Sequence, residues 1–216
     1  MAAVTTGLME SVQRRQWPAI VAAIGGAIFV LGILALHVIE RDLDPVNEII
    51  SAYGAGSHWY ILTASFFAFS IGYVALSFGL GTTVAPSRGL TAARALLLLA
   101  AAAMFANGII PCDAACGNTT LQGTLHSVLS FPFFLGTIAA MFLLIGPFGN
   151  DARWRPIRRT VIAIAVYALV TTLMLFAWRA AGIASWGLVQ RLIVIGIVAF
   201  YAISTNQLRL ALAKRG

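Results

Sequence analysis

Residues 17–39 read WPAIVAAIGGAIFVLGILALHVI, with Arg14 and Arg15 just before them and Glu40 and Arg41 just after. An uncharged run of this length matches the ~20 apolar residues a helix needs to cross the hydrocarbon of a bilayer. It is too long for the apolar core of a secretory signal, and it ends at His37 and Glu40 without a small-residue cleavage site, so it reads as a retained anchor. Five more runs of the same kind follow. The spans are Trp17–Ile39, Trp59–Gly81, Ala92–Ile110, Leu125–Pro147, Thr160–Ala180 and Leu188–Leu208. None alternates polar and apolar residues as a barrel strand does, and in hydrocarbon only helices or closed barrels satisfy every backbone N–H and C=O. The fold expected is an all-α, polytopic six-transmembrane-helix bundle forming one integral membrane domain over residues 1–216.

Composition agrees. The chain is 60% hydrophobic and 10% charged, against about 25% charged residues in soluble domains. The charges sort by side. With the N-terminus in the cytoplasm, Arg14, Arg15, Arg88, Arg94, Arg153, Arg155, Arg158, Arg159, Arg209, Lys214 and Arg215 lie inside with Glu10 and Asp151. Arg41, Arg179 and Arg191 fall outside with Glu40, Asp42, Asp44, Glu48 and Asp113. This asymmetry puts both termini in the cytoplasm. The net charge of +7 comes from short basic clusters beside apolar runs, the pattern of loops near anionic headgroups and not of a nucleic-acid-binding face. An Ala-rich chain of this kind points to a bacterial inner membrane.

Two outer loops stand out, 40–58 and 111–124. In the first, Asp44-Pro45 can start a short helix and Gly54 and Gly56 end it, so the middle is expected either to lie on the membrane surface as a lid or to pack as a re-entrant cap without a function of its own. The second holds Cys112 and Cys116, for which a disulfide is the expected state on an oxidising face; Cys-x-x-Cys redox chemistry would want a shorter spacing. Asn118-Thr119-Thr120 is a glycosylation sequon that matters only in a eukaryotic secretory pathway. Gly25, Gly26, Gly32, Gly72, Gly79 and Gly136 allow close helix approach, and Pro132 removes one backbone hydrogen bond inside the fourth span.

All three histidines fall towards the outer face. His37 is near the end of the first span, His58 closes the long loop and His126 opens the fourth span. Asp113 lies just beyond the third span, Asn107 one turn inside it, and Arg191 one turn into the sixth. One reading is a pocket at the outer leaflet. There His126 and Asp113 are the candidate catalytic pair, Arg191 anchors a phosphate or carboxylate, His37, His58, Asn107 and Ser51 contribute to binding, and loop 40–58 is the lid. The other reading is interfacial capping, with each group simply reaching water or headgroups. Zinc is allowed by the residue types but not supported by their spacing, although His37 and Glu40 share a helix face. Haem would need His37 and His126 to face each other. No metal and no cofactor is expected.

Several local patterns coincide: NEIISAYG at 47–54, an aromatic-rich second span, NGIIPCD at 107–113, GTLH at 123–126 and GLVQRL at 187–192. Together they make the chain resemble, over nearly its whole length, the bacterial and archaeal membrane family catalogued as domain of unknown function 998. The resemblance implies an architecture and adds weight to Ser51, Asp113, His126 and Arg191. It implies no activity. The functional expectation is a lipid-handling protein with membrane lipids as partners. A non-catalytic scaffold, with Asp113 paired to Arg191 and a second copy or another membrane protein as partner, is the alternative. A small-solute carrier is a third, disfavoured because the span middles are nearly free of charge.

Overall fold

The computed structural model of the protein describes residues 2–214. Arg215, and the side chains of Glu10, Arg14 and Arg15, lie outside what is described. The described residues form six α-helices: α1 (Ala2–Ile39), α2 (Trp59–Thr83), α3 (Arg88–Ile109), α4 (Leu121–Asn150), α5 (Arg158–Ala180) and α6 (Trp186–Ala213). Three short 3-10 turns, at Ile50–Ala55, Ala114–Cys116 and Arg155–Ile157, lie in the connections, and there is no strand among the described residues. All six helices carry a window long and apolar enough to cross a membrane. The expected six-helix membrane architecture is therefore the observed one. Most helices outrun the apolar runs that announced them, because helical backbone continues into the headgroup region where polar residues are solvated. α1 begins at Ala2 instead of near Trp17, and α4 continues to Asn150 through Pro132 and Pro147.

Each helix packs on its chain neighbour, and α1 closes the ring on α6. α2 also touches α6, which makes it a central element, and its buried face runs from Leu62 to Thr83. The core is largely aromatic. Phe29 stacks on Phe69 with ring centroids 4.2 Å apart, and Tyr73 stacks on Tyr201 at 5.2 Å. The opposite faces of the helices are apolar and exposed, as at Leu31, Leu34 and Val38 of α1 and Val170 and Leu173 of α5. Water would not tolerate such a surface, but acyl chains solvate it. With no hydrophobic drive between helices in lipid, close backbone approach does the packing. At Gly25 an added Cβ would collide with the Ala68 carbonyl of α2, and at Gly72 with the Tyr201 hydroxyl of α6. Gly136, expected to behave alike, makes only an ordinary contact with the Leu96 carbonyl.

The even number of spans puts both chain ends at one end of the bundle, here called the basic end. There Asp151 is buried and accepts from Arg153 Nε at 3.1 Å, from Arg153 Nη2 at 2.9 Å and from the Ala85 amide at 3.0 Å. The Arg153 hydrogen bonds hold its carboxyl below the usual carboxylate range. Beside it Trp154, buried, stacks on Phe148 at 4.7 Å. The opposite, cap end carries loops 40–58 and 111–120.

If tight α1–α2 approach holds the bundle, Gly25→Ala should destabilise it by roughly 1–3 kcal/mol through overpacking. Gly146→Ala, where a Cβ meets nothing within 4 Å, should not. Thermal unfolding of both variants in the same detergent makes the comparison, and equal midpoints would refute it.

Candidate functional site at the cap end

The polar residues picked out from the sequence do not form one cluster. They divide into a latch, two braces and a cavity.

The latch is built on Arg191. Its Nε donates to His37 Nε2 at 2.9 Å, its Nη1 to the Glu48 and Gly187 carbonyls at 2.6 and 3.1 Å, and its Nη2 lies 3.4 Å from the Tyr53 hydroxyl. His37 Nδ1 donates to the Ile33 carbonyl at 2.7 Å, which fixes Nε2 as the acceptor. Two backbone bonds reinforce the latch: Leu188 N to the Val46 carbonyl at 2.9 Å and Ile50 N to Gln190 Oε1 at 2.8 Å. At Gly187 a Cβ would run into the Glu48 backbone. Loop 40–58 is thus bound to the N-terminal turns of α6. Of the two arrangements expected for this loop, the packed one is observed and the surface helix is not. Its helical part begins at Ile50, not Pro45, and Ile50, Ser51, Ala52 and Tyr53 are buried as a plug between α2 and α6. The Glu48 carbonyl of the loop accepts from Arg191 there.

The braces are Glu40–His58 and Asp113. Glu40 Oε1 accepts from the His58 amide at 2.7 Å and from His58 Nδ1 at 2.8 Å, joining the end of α1 to the start of α2. Those bonds hold the Glu40 carboxyl below its usual range. Glu40 is therefore the partner of His58, not of His37 as their spacing suggested. Asp113 takes the Thr119 and Thr120 amides at 2.8 and 2.9 Å and their hydroxyls at 2.9 and 2.5 Å. Thr120 in turn caps α4 by accepting from Gly123 N at 3.1 Å. The Thr120 and Thr119 bonds push the Asp113 carboxyl down to about 2. Asp113 bonds neither His126 nor Arg191, so both pairings foreseen for it are corrected: its oxygens are already engaged by the local turn. Cys112 and Cys116 form the expected disulfide, which packs on Ala52, Leu43 and Ile49 and seats the second loop on the plug.

The cavity has a volume of about 350 Å³ and is lined by Ser51 and Gly54 of the plug, Trp59, Leu62, Thr63 and Phe66 of α2, Asn107, Gly108 and Ile109 of α3, Pro111, and His126 of α4. Its innermost residue on α2, Phe66, is seven positions from the helix start, or ~10 Å deep at 1.5 Å per residue. Two of its lining residues, Trp59 and Ile109, are 55% and 60% exposed. His126 is 3% exposed and Asn107 7%. His126 Nδ1 faces the Ile110 carbonyl at 2.6 Å. A carbonyl can only accept, so Nδ1 carries a proton, and in the neutral ring Nε2 is an acceptor. Ser130, four residues on, donates to the His126 carbonyl at 2.9 Å. Its oxygen therefore accepts from Asn107 Nδ2 at 3.1 Å, which orients the amide and leaves Oδ1 as a second acceptor. Both His126 Nε2 and Asn107 Oδ1 are buried without a hydrogen-bond partner. Two smaller cavities share these walls, of about 20 Å³ by Ser51, Asn107 and Ser130 and of about 100 Å³ by His126, Ser130 and Gln190.

The model of the family described as "Protein of unknown function (DUF998)" matches residues 23–205. The chain belongs to that family. No curated protein and no solved structure matches it. The match spans the plug, the disulfide loop, His126 and Arg191, and takes in all six spans except the first turns of α1 and the last of α6. The chain is a membrane protein of that family.

Both ring nitrogens of His37 are engaged, by the Ile33 carbonyl and by Arg191. No group of three or more His, Cys, Asp or Glu gathers among the described residues. Sequence reasoning overlooked Tyr53, Ser130 and Gln190. Ser130 carried a signal, sitting one helical turn beyond His126. Tyr53 and Gln190 lay inside the quoted motifs beside residues already chosen.

Two predictions follow from the latch and the braces. Arg191→Ala should cost about 2 kcal/mol, the scale of hydrogen bonds to a charged group, and Arg191→Lys should not restore it, because one ammonium cannot reach His37 and two carbonyls together. Unfolding midpoints and protease cleavage within residues 44–56 read this, and a wild-type loop in Arg191→Ala would contradict the latch. For Asp113 the depressed carboxyl stabilises the turn above its ordinary value near 3.8 and loses that effect as pH falls through about 2. NMR amide positions of Thr119 and Thr120 should hold to about pH 4, change towards pH 2, and be absent from Asp113→Asn at any pH. A midpoint at the ordinary value would show the carboxylate is not held.

Proposed function

We propose that this membrane protein takes up a lipid or another hydrophobic ligand in the cavity at the cap end, with that end facing away from the cytoplasm and the basic end within it. The observation that carries the reading is a mostly apolar cavity whose lining includes His126 and Asn107, each with a buried polar atom that has no protein partner. Native structures seldom bury polar atoms unpaired without a reason, and ligand sites combine apolar walls with a few convergent polar groups. A volume near 350 Å³ falls in the usual range for such sites, roughly 300–1,000 Å³. The orientation rests on the Lys and Arg excess at the basic end, and a bacterial inner membrane suits the same bias. Arg191, bound up in the latch, serves the pocket by holding its roof and not by gripping a headgroup. In its neutral form His126 has an unpartnered Nε2, as a general base requires, so hydrolysis or transfer at a headgroup is the chemistry the pocket is best suited to if it turns substrate over.

Native mass spectrometry of the protein extracted gently from its own membrane tests the reading. A retained lipid-sized adduct is expected for the wild type. Gly54→Leu, which points a side chain at Leu62 and Pro111 of the cavity wall, should lose it. A wild-type protein free of adducts, or adducts unchanged by Gly54→Leu, would count against the pocket.

A further inference from the structure

We infer that a furrow between α1 and α6, running from the basic end towards the middle of the bundle, binds one anionic phospholipid. An acyl chain lies along the furrow and the phosphate meets Arg209. The site is separate from the cap-end cavity, and neither depends on the other.

Ala19, Ala23 and Ala27 recur at every fourth position of α1 and so share one face of it. With Ala202 of α6 they line a furrow of about 540 Å³. Their small side chains leave the space open, and Ala23, Ala27 and Ala202 are exposed along it. Tyr201, buried, forms part of the inner wall, and its hydroxyl donates to the Ala22 carbonyl at 2.6 Å. In hydrocarbon no water fills such a space, and an empty one forfeits dispersion contacts along its walls. An alkyl chain restores them. The extent of the furrow fits one leaflet. On α1 it runs twelve positions, from Ala19 to Leu31, or ~18 Å at 1.5 Å per residue, beside ~15 Å for half the hydrocarbon of a bilayer.

The headgroup follows from charge. The polar side chains beyond Tyr201 lie towards the basic end, and Arg209 is eight positions past it on α6, or ~12 Å nearer that end. Arg209 is exposed, gives one N–H to Asn206 Oδ1 at 3.1 Å and makes no ion pair among the described residues. A chain lying in the furrow with its head at the basic end brings a phosphate to this guanidinium, whose fork suits it. Lys214 follows at the end of α6. Asp151, the one acid with a described side chain at that end, is already paired with Arg153 at 2.9 Å. The basic end therefore attracts an anionic headgroup and disfavours the ammonium of a zwitterionic one. A second copy of the chain suits the furrow less well. Docked through the same face about an axis along the membrane normal, it would bring its own Arg209 to the same depth, cation towards cation.

The test compares two lipids with the same chains and different head charge. Delipidated protein in a mild non-ionic detergent is offered equal amounts of dioleoyl phosphatidylglycerol and dioleoyl phosphatidylcholine, and complexes are counted by native mass spectrometry. The anionic lipid should occupy one site roughly tenfold ahead of the zwitterionic one, and Arg209→Gln should remove roughly fivefold of that preference, the scale of one basic residue beside an anionic headgroup. Ala23→Phe, which fills an exposed stretch of the furrow, should lose the site whatever the headgroup. Gly54→Leu should leave it intact, and the cap-end adduct should survive Ala23→Phe, so the two sites fail separately. Equal binding of the two lipids to the wild type would overturn the inference. So would an unchanged preference in Arg209→Gln, a site that survives Ala23→Phe, or one lost in Gly54→Leu. A lipid-free dimer that Ala23→Phe dissociates would overturn it in favour of a second copy. The lipid competition is read on the wild type, so a variant that fails to fold leaves the test in place.

Discussion

In the hydrocarbon of a bilayer no water accepts or donates a hydrogen bond, so every backbone and side-chain polar group must find its partner inside the protein. Most features of this chain follow from meeting that demand. The six helices meet it for the backbone. Side chains that would otherwise be stranded turn back on carbonyls: Ser65 on Ile61, Thr83 on Gly79, Thr172 on Ala168, Tyr201 on Ala22. Against that background, His126 Nε2 and Asn107 Oδ1 are among the exceptions, with the Trp154 and Trp178 indole nitrogens and the Ser204 and Thr205 hydroxyls. His126 and Asn107 both line the 350 Å³ cavity.

The cap shows how the demand shapes irregular backbone. Residues 44–56 hold no α-helix, only the 3-10 turns at Ile50–Ala55, and would expose carbonyls and amides if laid against lipid. Instead Arg191 gathers the Glu48 carbonyl, Gln190 takes the Ile50 amide, and the Cys112–Cys116 loop covers the plug from above. Arg suits this position because one planar guanidinium reaches an imidazole and two carbonyls at once. The roof of the cavity is therefore held by α6, while its floor and walls come from α2, α3 and α4. A ligand entering from the side would meet a rigid frame on three sides and a latched segment on the fourth. Opening the latch would require those bonds to be exchanged together.

Much of this was legible in residue order. The lengths of the apolar runs announced six helices, and the loop cysteines announced a disulfide. The quoted motifs also pointed to the cap residues, because Ser51, Asn107, His126 and Arg191 are polar groups at span ends where solvation is costly. Their grouping was not legible. Asp113 looked like the natural partner of a His or an Arg, yet its four bonds go to Thr119 and Thr120. Glu40 sits at helical spacing from His37 but bonds His58, eighteen residues away. Trp154 lies in a basic loop and is nonetheless buried on Phe148.

The sequence by itself determined that the chain crosses a membrane, how many times, and which end of the bundle carries the cations. Those properties depend on local apolar length and on charge counts, which need no knowledge of what packs on what. Tertiary structure alone decided which polar groups meet, which lone pairs remain open and which cavity they face. A hydrogen bond depends on a few tenths of an ångström and on direction, and the partners that set the His126 tautomer and the Asn107 orientation are brought there by the packing of α3 against α4. Residue order names the donors and acceptors, and only the folded backbone shows which of them are left without a partner.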